Sequence, residues 1–282
     1  MEREIIVDAE LDAGEAQQIA QRFVAARRAA IPLSEYPGTA PPTLRTAYAI
    51  QARAIAIQGG RIAGWKVGRI LPPLDVTFGA NRLVGPIFAA ALRQAGDQPV
   101  MPVFVGGFAA VEAEYLFQLD GRIDPRRRQW SCEEALDRVT AVHVGFEIAS
   151  SPFAGINQLG PPVTASDFGN NNGLVIGPPI ANWRETAYDG WDVTTTINNA
   201  AVGRGRATTF PDGSAGSVRF ALELLAARGI PVAQGTWVSS GAITGVHDVN
   251  PGDHVVARFD GHLQIACSIS AATPASPSTP SG

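Results

Sequence analysis

Val111-Glu112-Ala113-Glu114-Tyr115 decides how this chain is read. It places two glutamates two residues apart, flanked by Phe108, Leu116 and Phe117. In a strand, positions i and i+2 point to the same face. Two like charges side by side there repel unless a cation lies between them. A third acid, Glu147, stands alone in Val144-Gly145-Phe146-Glu147-Ile148-Ala149, where an unpaired buried carboxylate is costly. Three carboxylates on β structure, with no His or Cys beside them, suit a hard cation such as Mg²⁺ or Mn²⁺. The other reading open at this point is that Glu112 and Glu114 face solvent and Glu147 caps or salt-bridges a neighbour.

Working outward, the flanking segments alternate as strands do. Val103 to Val105, Ala109 to Leu119, Val142 to Ile148, Leu174 to Ile176 and Val193 to Ile197 read as strands. Val255 to Phe259 and Leu263 to Ile269 read as a closing hairpin turned by Asp260-Gly261. Upstream, Ile62-Ala63-Gly64-Trp65-Lys66-Val67-Gly68 is a glycine-bounded strand. Helical spacing of Ile19, Phe23, Ala26 and Ala30 predicts a helix over Glu15–Ala30, closed by Pro32, with Arg27 and Arg28 off the apolar face. A second helix is expected from Thr43, as N-cap, to about Ile57. Ser131-Cys132-Glu133-Glu134 fits a capping box, and Ser217 to Arg228 a helix ended by Gly229. Segments 71–88 and 149–172, rich in Gly, Pro and Asn, read as loops. The expected organisation is a helical segment over 1–60, a β-rich catalytic body over 61–270, and a disordered tail over 271–282.

Composition narrows the function classes. The chain has 282 residues, is 45% hydrophobic and only 17% charged, and so can bury a large core. A net charge of −4 gives no basic field for nucleic acid. Two cysteines and four histidines support neither a disulfide framework nor a His-rich metal site. Phosphate-loop, zinc-protease, C-x-x-C, nucleophile-elbow and Rossmann signatures are missing, and Gly203-Arg204-Gly205 reads as noise. Met1-Glu2-Arg3-Glu4 does not open a signal peptide, and no apolar run approaches the ~20 residues of a membrane span. A cytoplasmic protein without membrane contact is therefore expected.

Three further places could carry chemistry. Lys66, between Trp65 and Val67, is either a buried acid/base whose pKa burial lowers or a snorkelling strand lysine. Ser239-Ser240-Gly241-Ala242-Ile243-Thr244-Gly245 joins small hydroxyls to glycines that permit close approach to carboxylate or phosphate oxygens, and equally makes ordinary turns. Asp167-Phe168-Gly169-Asn170-Asn171-Asn172-Gly173 is either a polar site loop or a left-handed turn.

Set in order, these pieces resemble the 2-keto-4-pentenoate hydratase and 4-oxalocrotonate decarboxylase family of the fumarylacetoacetate hydrolase superfamily. Ala47-Tyr48-Ala49-Ile50-Gln51 resembles its A-Y-x-V-Q helix, and Gly64-Trp65-Lys66-Val67-Gly68 its G-[YF]-K-[IV]-G strand. Val111-Glu112-Ala113-Glu114 is similar to its V-E-x-E metal motif, with Glu147 where the third ligand falls. Gly241-Ala242-Ile243-Thr244-Gly245 resembles its G-S-x-T-G loop, and Pro251-Gly252-Asp253 with the final hairpin also matches. The resemblance spans about residues 15–270.

It implies an α+β fold, a mixed β-roll with a helical N-terminal segment. It implies Mg²⁺ or Mn²⁺ on Glu112, Glu114 and Glu147, with Lys66 as the catalytic acid/base and a homo-oligomeric assembly. Thr244, Arg69, Asp167 and Gln51 are the expected substrate-binding residues. The implied activity is hydration of a 2-hydroxy-2,4-dienoate in aromatic-compound catabolism. The alternatives are decarboxylation of a 2-oxo-3-enedioate, C–C hydrolysis of an acylpyruvate, or a non-catalytic homologue that binds a metal or a partner. Three loops depart from the pattern: Gly68-Arg69-Ile70-Leu71 replaces G-L-T-S, Val76-Thr77-Phe78-Gly79 replaces P-D-F-G, and Asp167–Gly173 keeps only the ends of D-N-A-S-S-A-G. Arg69 thus either offers a cation to a second carboxylate or faces solvent.

Overall fold

A computed structural model describes residues 11–275. Two helices come first, α1 (Ala13–Ala29) and α2 (Leu44–Gln58). Each is started by a side chain that accepts an otherwise orphaned N–H: Asp12 takes that of Gly14, and Thr43 that of Thr46. The two helices share an apolar cluster with Phe153, Ile156, Val163 and Phe168, so they pack onto the part of the chain that surrounds the candidate site.

The strands are β1 (Ile62–Arg69), β2 (Arg82–Phe88), β3 (Leu92–Gln94), β4 (Val100–Val103), β5 (Phe108–Leu119), β6 (Val139–Ser151), β7 (Asn171–Pro179), β8 (Val193–Ile197), β9 (Ala200–Gly205), β10 (Trp237–Ser239), β11 (His247–Asp248), β12 (His254–Phe259) and β13 (Leu263–Ala271). Four helices are interspersed: α3 (Leu74–Phe78), α4 (Cys132–Leu136), α5 (Pro161–Ser166) and α6 (Ala215–Ala227). One sheet runs β2-β1-β10-β5-β6-β7-β3, with β11 also on β5, and the other runs β4-β13-β12-β8-β9. This is the α+β, mixed-sheet architecture expected.

Alternation along three strands sets the core. Val111, Ala113, Tyr115, Phe117 and Leu119 of β5, Val142, Val144, Phe146 and Ile148 of β6, and Trp65 and Val67 of β1 join one cluster with Val255, Phe259 and Ile265 of the second sheet. Tyr115 and Phe259 meet across it with ring centroids 5.8 Å apart. The intervening positions, Lys66, Glu112, Glu114 and Glu147, therefore lie on the opposite face of the first sheet.

Several expectations shift. Segment 71–88 is not all loop, because β2 pairs along β1 from Arg69↔Arg82 to Trp65↔Pro86. Gly85-Pro86 looked like a breaker, but β2 is the sheet's edge, where a missing N–H costs no ladder bond. Likewise β6 runs on to Ser151 and α5 lies inside 149–172. The glycines read as noise, Gly203 and Gly205, belong to edge strand β9. The capping box at Ser131 and the left-handed Asp260-Gly261 turn are present as read. Of the expected tail, Ala272 and Ala275 are tied by N–H bonds to Val103 O and Arg28 O, each 2.8 Å. Residues 276–282 lie outside the described residues, as does the Met1–Glu4 opening.

Candidate metal centre

Register assembles the carboxylates. Glu112 stands directly opposite Glu147 in the β5–β6 ladder, and Glu114 is two residues along on the same face. One carboxylate oxygen from each of Glu112, Glu114 and Glu147 lies within 4.8 Å of the others, and all three side chains are buried. Lys66 enters from β1, two strands away through β10, and places Nζ 3.3 Å from Glu147 Oε2. The solvent-facing reading of Glu112 and Glu114 is thereby excluded.

The remaining contacts fix the carboxylates without satisfying them. Gly241 N–H donates to Glu114 Oε2 at 3.0 Å, and Asn171 Nδ2 donates to Glu147 Oε1 at 3.0 Å. Glu114 Oε1 is buried without a hydrogen-bond partner, and Glu147 Oε2 is buried with only the Lys66 ammonium beside it. Such orphans are rare in native interiors, and a cation on the carboxylates would satisfy them. Three carboxylates face one ammonium, so full ionisation leaves two negative charges uncompensated, which one divalent cation balances. Hard oxygen donors and no softer ligand fit Mg²⁺, Mn²⁺ or Ca²⁺.

The electrostatics follow. The Glu112 carboxyl is raised to about 7, the net of burial pushing it up, Lys66 pulling it down and Glu147 pushing it up. Glu114 is held well above its ordinary value by burial, then by Glu147 and Glu112. Burial pulls the Lys66 ammonium down, but Glu147, Glu112 and Glu114 together lift it above its ordinary value. The lowered lysine pKa expected from the sequence is thus corrected: beside three acids, Lys66 is an ammonium.

A cavity of about 470 Å³ opens onto Lys66 and Glu112. Its walls include Arg69, Leu71, Leu74, Asn157, Thr164 and Asn170. A left-handed turn roofs the lysine: Phe168, Gly169 and Asn170 all have positive φ. Gly85, opposite Lys66 in the β1–β2 ladder, makes room for it, since a Cβ there would collide with the Phe168 carbonyl.

The four expected substrate-binding residues fare differently. Arg69 lines the cavity with its guanidinium 5.0 Å above the Phe210 ring and no ion-pair partner among the described residues. Thr244 lies in the loop beside the cavity, where Ala242 and Gly245 form wall, but its hydroxyl meets Thr195 Oγ1 (2.8 Å) and His247 Nε2 (3.1 Å). Asp167 is engaged inside the fold, where Arg27 grips both its oxygens (Nε–Oδ1 2.6 Å, Nη2–Oδ2 2.9 Å). Gln51 is likewise engaged inside the fold: Nε2 donates to Val84 O and Ala165 O, and Oε1 accepts from Arg228.

Two contributors escaped the sequence reading. Asn171 sits in the polar loop already noted, but only the folded register aims its amide at Glu147. Arg27 was placed off the apolar face of α1, yet it is buried under the 167–172 loop, bonding Ser150 O and Asn171 O as well as Asp167. Its guanidinium also lies 5.1 Å from the Phe168 ring centroid, which holds the strained turn in place.

No family model and no curated protein matches the sequence. Solved structures do match in fold. 4-Oxalocrotonate decarboxylase from Pseudomonas putida G7, complexed with magnesium and adipate, aligns with a TM-score of 0.76 at 18% identity, covering 92% of this chain and 98% of that one. Its complex with calcium and acetate gives 0.74 at the same identity and coverage. Fumarylpyruvate hydrolase from Pseudomonas aeruginosa, in complex with Mn²⁺ and pyruvate, gives 0.53 at 15% identity over 76% of this chain and 91% of that one. The chain has the fold of the fumarylacetoacetate hydrolase superfamily, and these similar structures carry calcium, magnesium or manganese. Among the described residues no helix is long and apolar enough to cross a membrane.

Proposed function

We propose that this chain is a divalent-metal-dependent enzyme that acts on a 2-hydroxy-2,4-dienoate, adding water to it as a hydratase. The observation that carries this reading is the convergence of Glu112, Glu114 and Glu147 within 4.8 Å, with Glu112 and Lys66 lining the cavity. A cation on the three glutamates would supply Lewis acidity and a template for the substrate's carboxylate and its 2-oxygen. Lys66, an ammonium on the cavity floor, gives a proton to the terminal carbon of the dienoate as the 2-hydroxyl becomes a ketone. The 2-hydroxyl proton leaves to solvent, the neutral amine left behind takes a proton from the water that adds to the conjugated double bond, and the enolate so formed takes a proton from solvent at carbon 3. Leu71, Leu74 and Leu83 give the chain of the substrate an apolar wall, and Asn157, Thr164 and Asn170 a polar one.

Decarboxylation of a 2-oxo-3-enedioate is the second reading, and Arg69 favours it. An uncompensated guanidinium on the cavity wall suits a second carboxylate, which the dienoate monoacid lacks. The shared fold with a 4-oxalocrotonate decarboxylase supports the same substrate class.

Product mass decides. The purified protein with Mg²⁺ is offered 2-hydroxypenta-2,4-dienoate and 2-hydroxyhexa-2,4-dienedioate. The hydratase reading expects the mass of one water to be gained on the monoacid, with turnover lost in Glu112→Gln and Lys66→Ala. Loss of CO₂ from the diacid selects the second reading. Full turnover in either variant, or none of any kind in the wild type, contradicts the enzyme assignment.

A further inference from the structure

A cavity larger than the one at Lys66 lies away from the glutamates. It is a groove of about 800 Å³ between α2 and α6, closed at one end by Phe78 and Gly79. Its volume is in the range of small-molecule sites. Tyr48, Phe220 and Leu224 give it an apolar body, while Arg82 and Arg228 stand in its wall.

Those two arginines are unusual. Arg82 is fully buried, yet its Nε and Nη2 have no hydrogen-bond partner. Its nearest acid, Asp212 at 3.7 Å from Nη1, is held more closely by Arg219 at 2.7 Å. Arg228 lies with its guanidinium carbon 4.4 Å from the Tyr48 ring centroid and gives Nη1 to Gln51 Oε1 at 2.9 Å. No carboxylate pairs with Arg228 among the described residues. The one acid of the groove, Glu223, already accepts from Trp130 N–H (3.0 Å) and Arg219 Nη1 (3.2 Å). Desolvation pulls both arginines below their ordinary pKa. Desolvated cations that share or lack a counter-charge are costly to keep, and an incoming anion relieves that cost.

We propose that the groove is a second binding site, distinct from the glutamate centre, for a small carboxylate with a flat apolar body. The carboxylate meets the arginines and the apolar part lies among Tyr48, Phe220 and Leu224. The site sits beside the catalytic cavity. The segment that supplies Phe78 to the groove supplies Leu71 and Leu74 to that cavity, and Arg228 holds Gln51, which binds Val84 O and Ala165 O next to Leu83 and Thr164. Occupancy therefore bears on the wall that touches substrate.

Calorimetry on the full chain, loaded with Mn²⁺ and saturated with oxalate, tests this with trans-cinnamate and its uncharged analogue cinnamamide. Turnover is not needed, so the outcome is independent of the reaction assigned above. The proposal expects one saturable cinnamate site per chain, with cinnamamide at least tenfold weaker. Ala52 is exposed on α2 in the groove wall, so Ala52→Trp fills the groove without disturbing the core; it should lose cinnamate and keep wild-type Mn²⁺ affinity. Equal binding of the two analogues, binding unchanged in Ala52→Trp, or no saturable binding overturns the proposal. Absent cinnamate binding together with a smaller Ala52→Trp assembly by light scattering assigns the groove to a second copy of the chain instead.

Discussion

Two buried ionic clusters lie a few residues apart, and they are built on opposite principles. Around Asp167 the charges balance: one guanidinium grips one carboxylate with two parallel bonds, and its other donors reach Ser150 O, Asn171 O and Asn172 Oδ1. Around Glu147 they do not: three carboxylates face one ammonium, Glu114 Oε1 has no hydrogen-bond partner, and Glu147 Oε2 has only the Lys66 ammonium. The closed cluster serves the fold, and the open one is shaped for something that arrives from outside. The 167–172 loop joins them, because Arg27 sets the backbone from which Asn171 reaches Glu147.

The comparison breaks most visibly in stability. Arg27→Ala strands a buried carboxylate and should destabilise the protein by about 3–5 kcal/mol, read by urea unfolding. Glu114→Gln on the metal-free protein should have the opposite sign, raising the unfolding midpoint, because the amide is neutral without the proton that the buried carboxylate must take up on folding. Equal losses in the two variants would erase the distinction. In activity, Lys66→Ala should lower kcat by about 10²–10⁴-fold, the usual weight of a positioned acid/base, with the fold retained by circular dichroism.

A smaller, graded effect is expected with pH. Glu112 and Glu114 hold protons in the folded metal-free chain that the unfolded chain has released. Stability from this source is full below the ordinary glutamate pKa and is lost as pH rises through about 7 for Glu112. The metal-free melting temperature should therefore fall between pH 5.5 and 8 as Mg²⁺ affinity rises, since the cation replaces those protons. A flat profile in both would contradict the shared origin. The smallest change is expected from Thr244→Ser, which keeps the hydroxyl bonded to Thr195 and His247 and should move KM by less than about threefold.

What the sequence revealed follows the range of the interactions involved. Period-two spacing made Glu112 and Glu114 legible as neighbours, and the capping box at Ser131 and the Asp260-Gly261 turn are local chemistry. Glu147 and Lys66 were legible as charges inside apolar strands, but their meeting at one centre entered through family likeness, because it depends on the register of β5 on β6 and on β10 lying between β1 and β5. Strand β2 was hidden by Gly85-Pro86, which only its edge position tolerates. Arg27 and Asp167 are 140 residues apart, and no periodicity in α1 signals that one of its polar residues turns inward. Gln51 was legible as a motif residue, but its amide serves backbone carbonyls rather than substrate.

The direct test of the open cluster is a calorimetric titration of EDTA-stripped protein with Mn²⁺ at pH 7.5, alongside Glu147→Gln. The account predicts one ion per chain for the wild type and affinity reduced more than about 100-fold in the variant. No saturable binding in the wild type, or the same stoichiometry and affinity in Glu147→Gln, would contradict it.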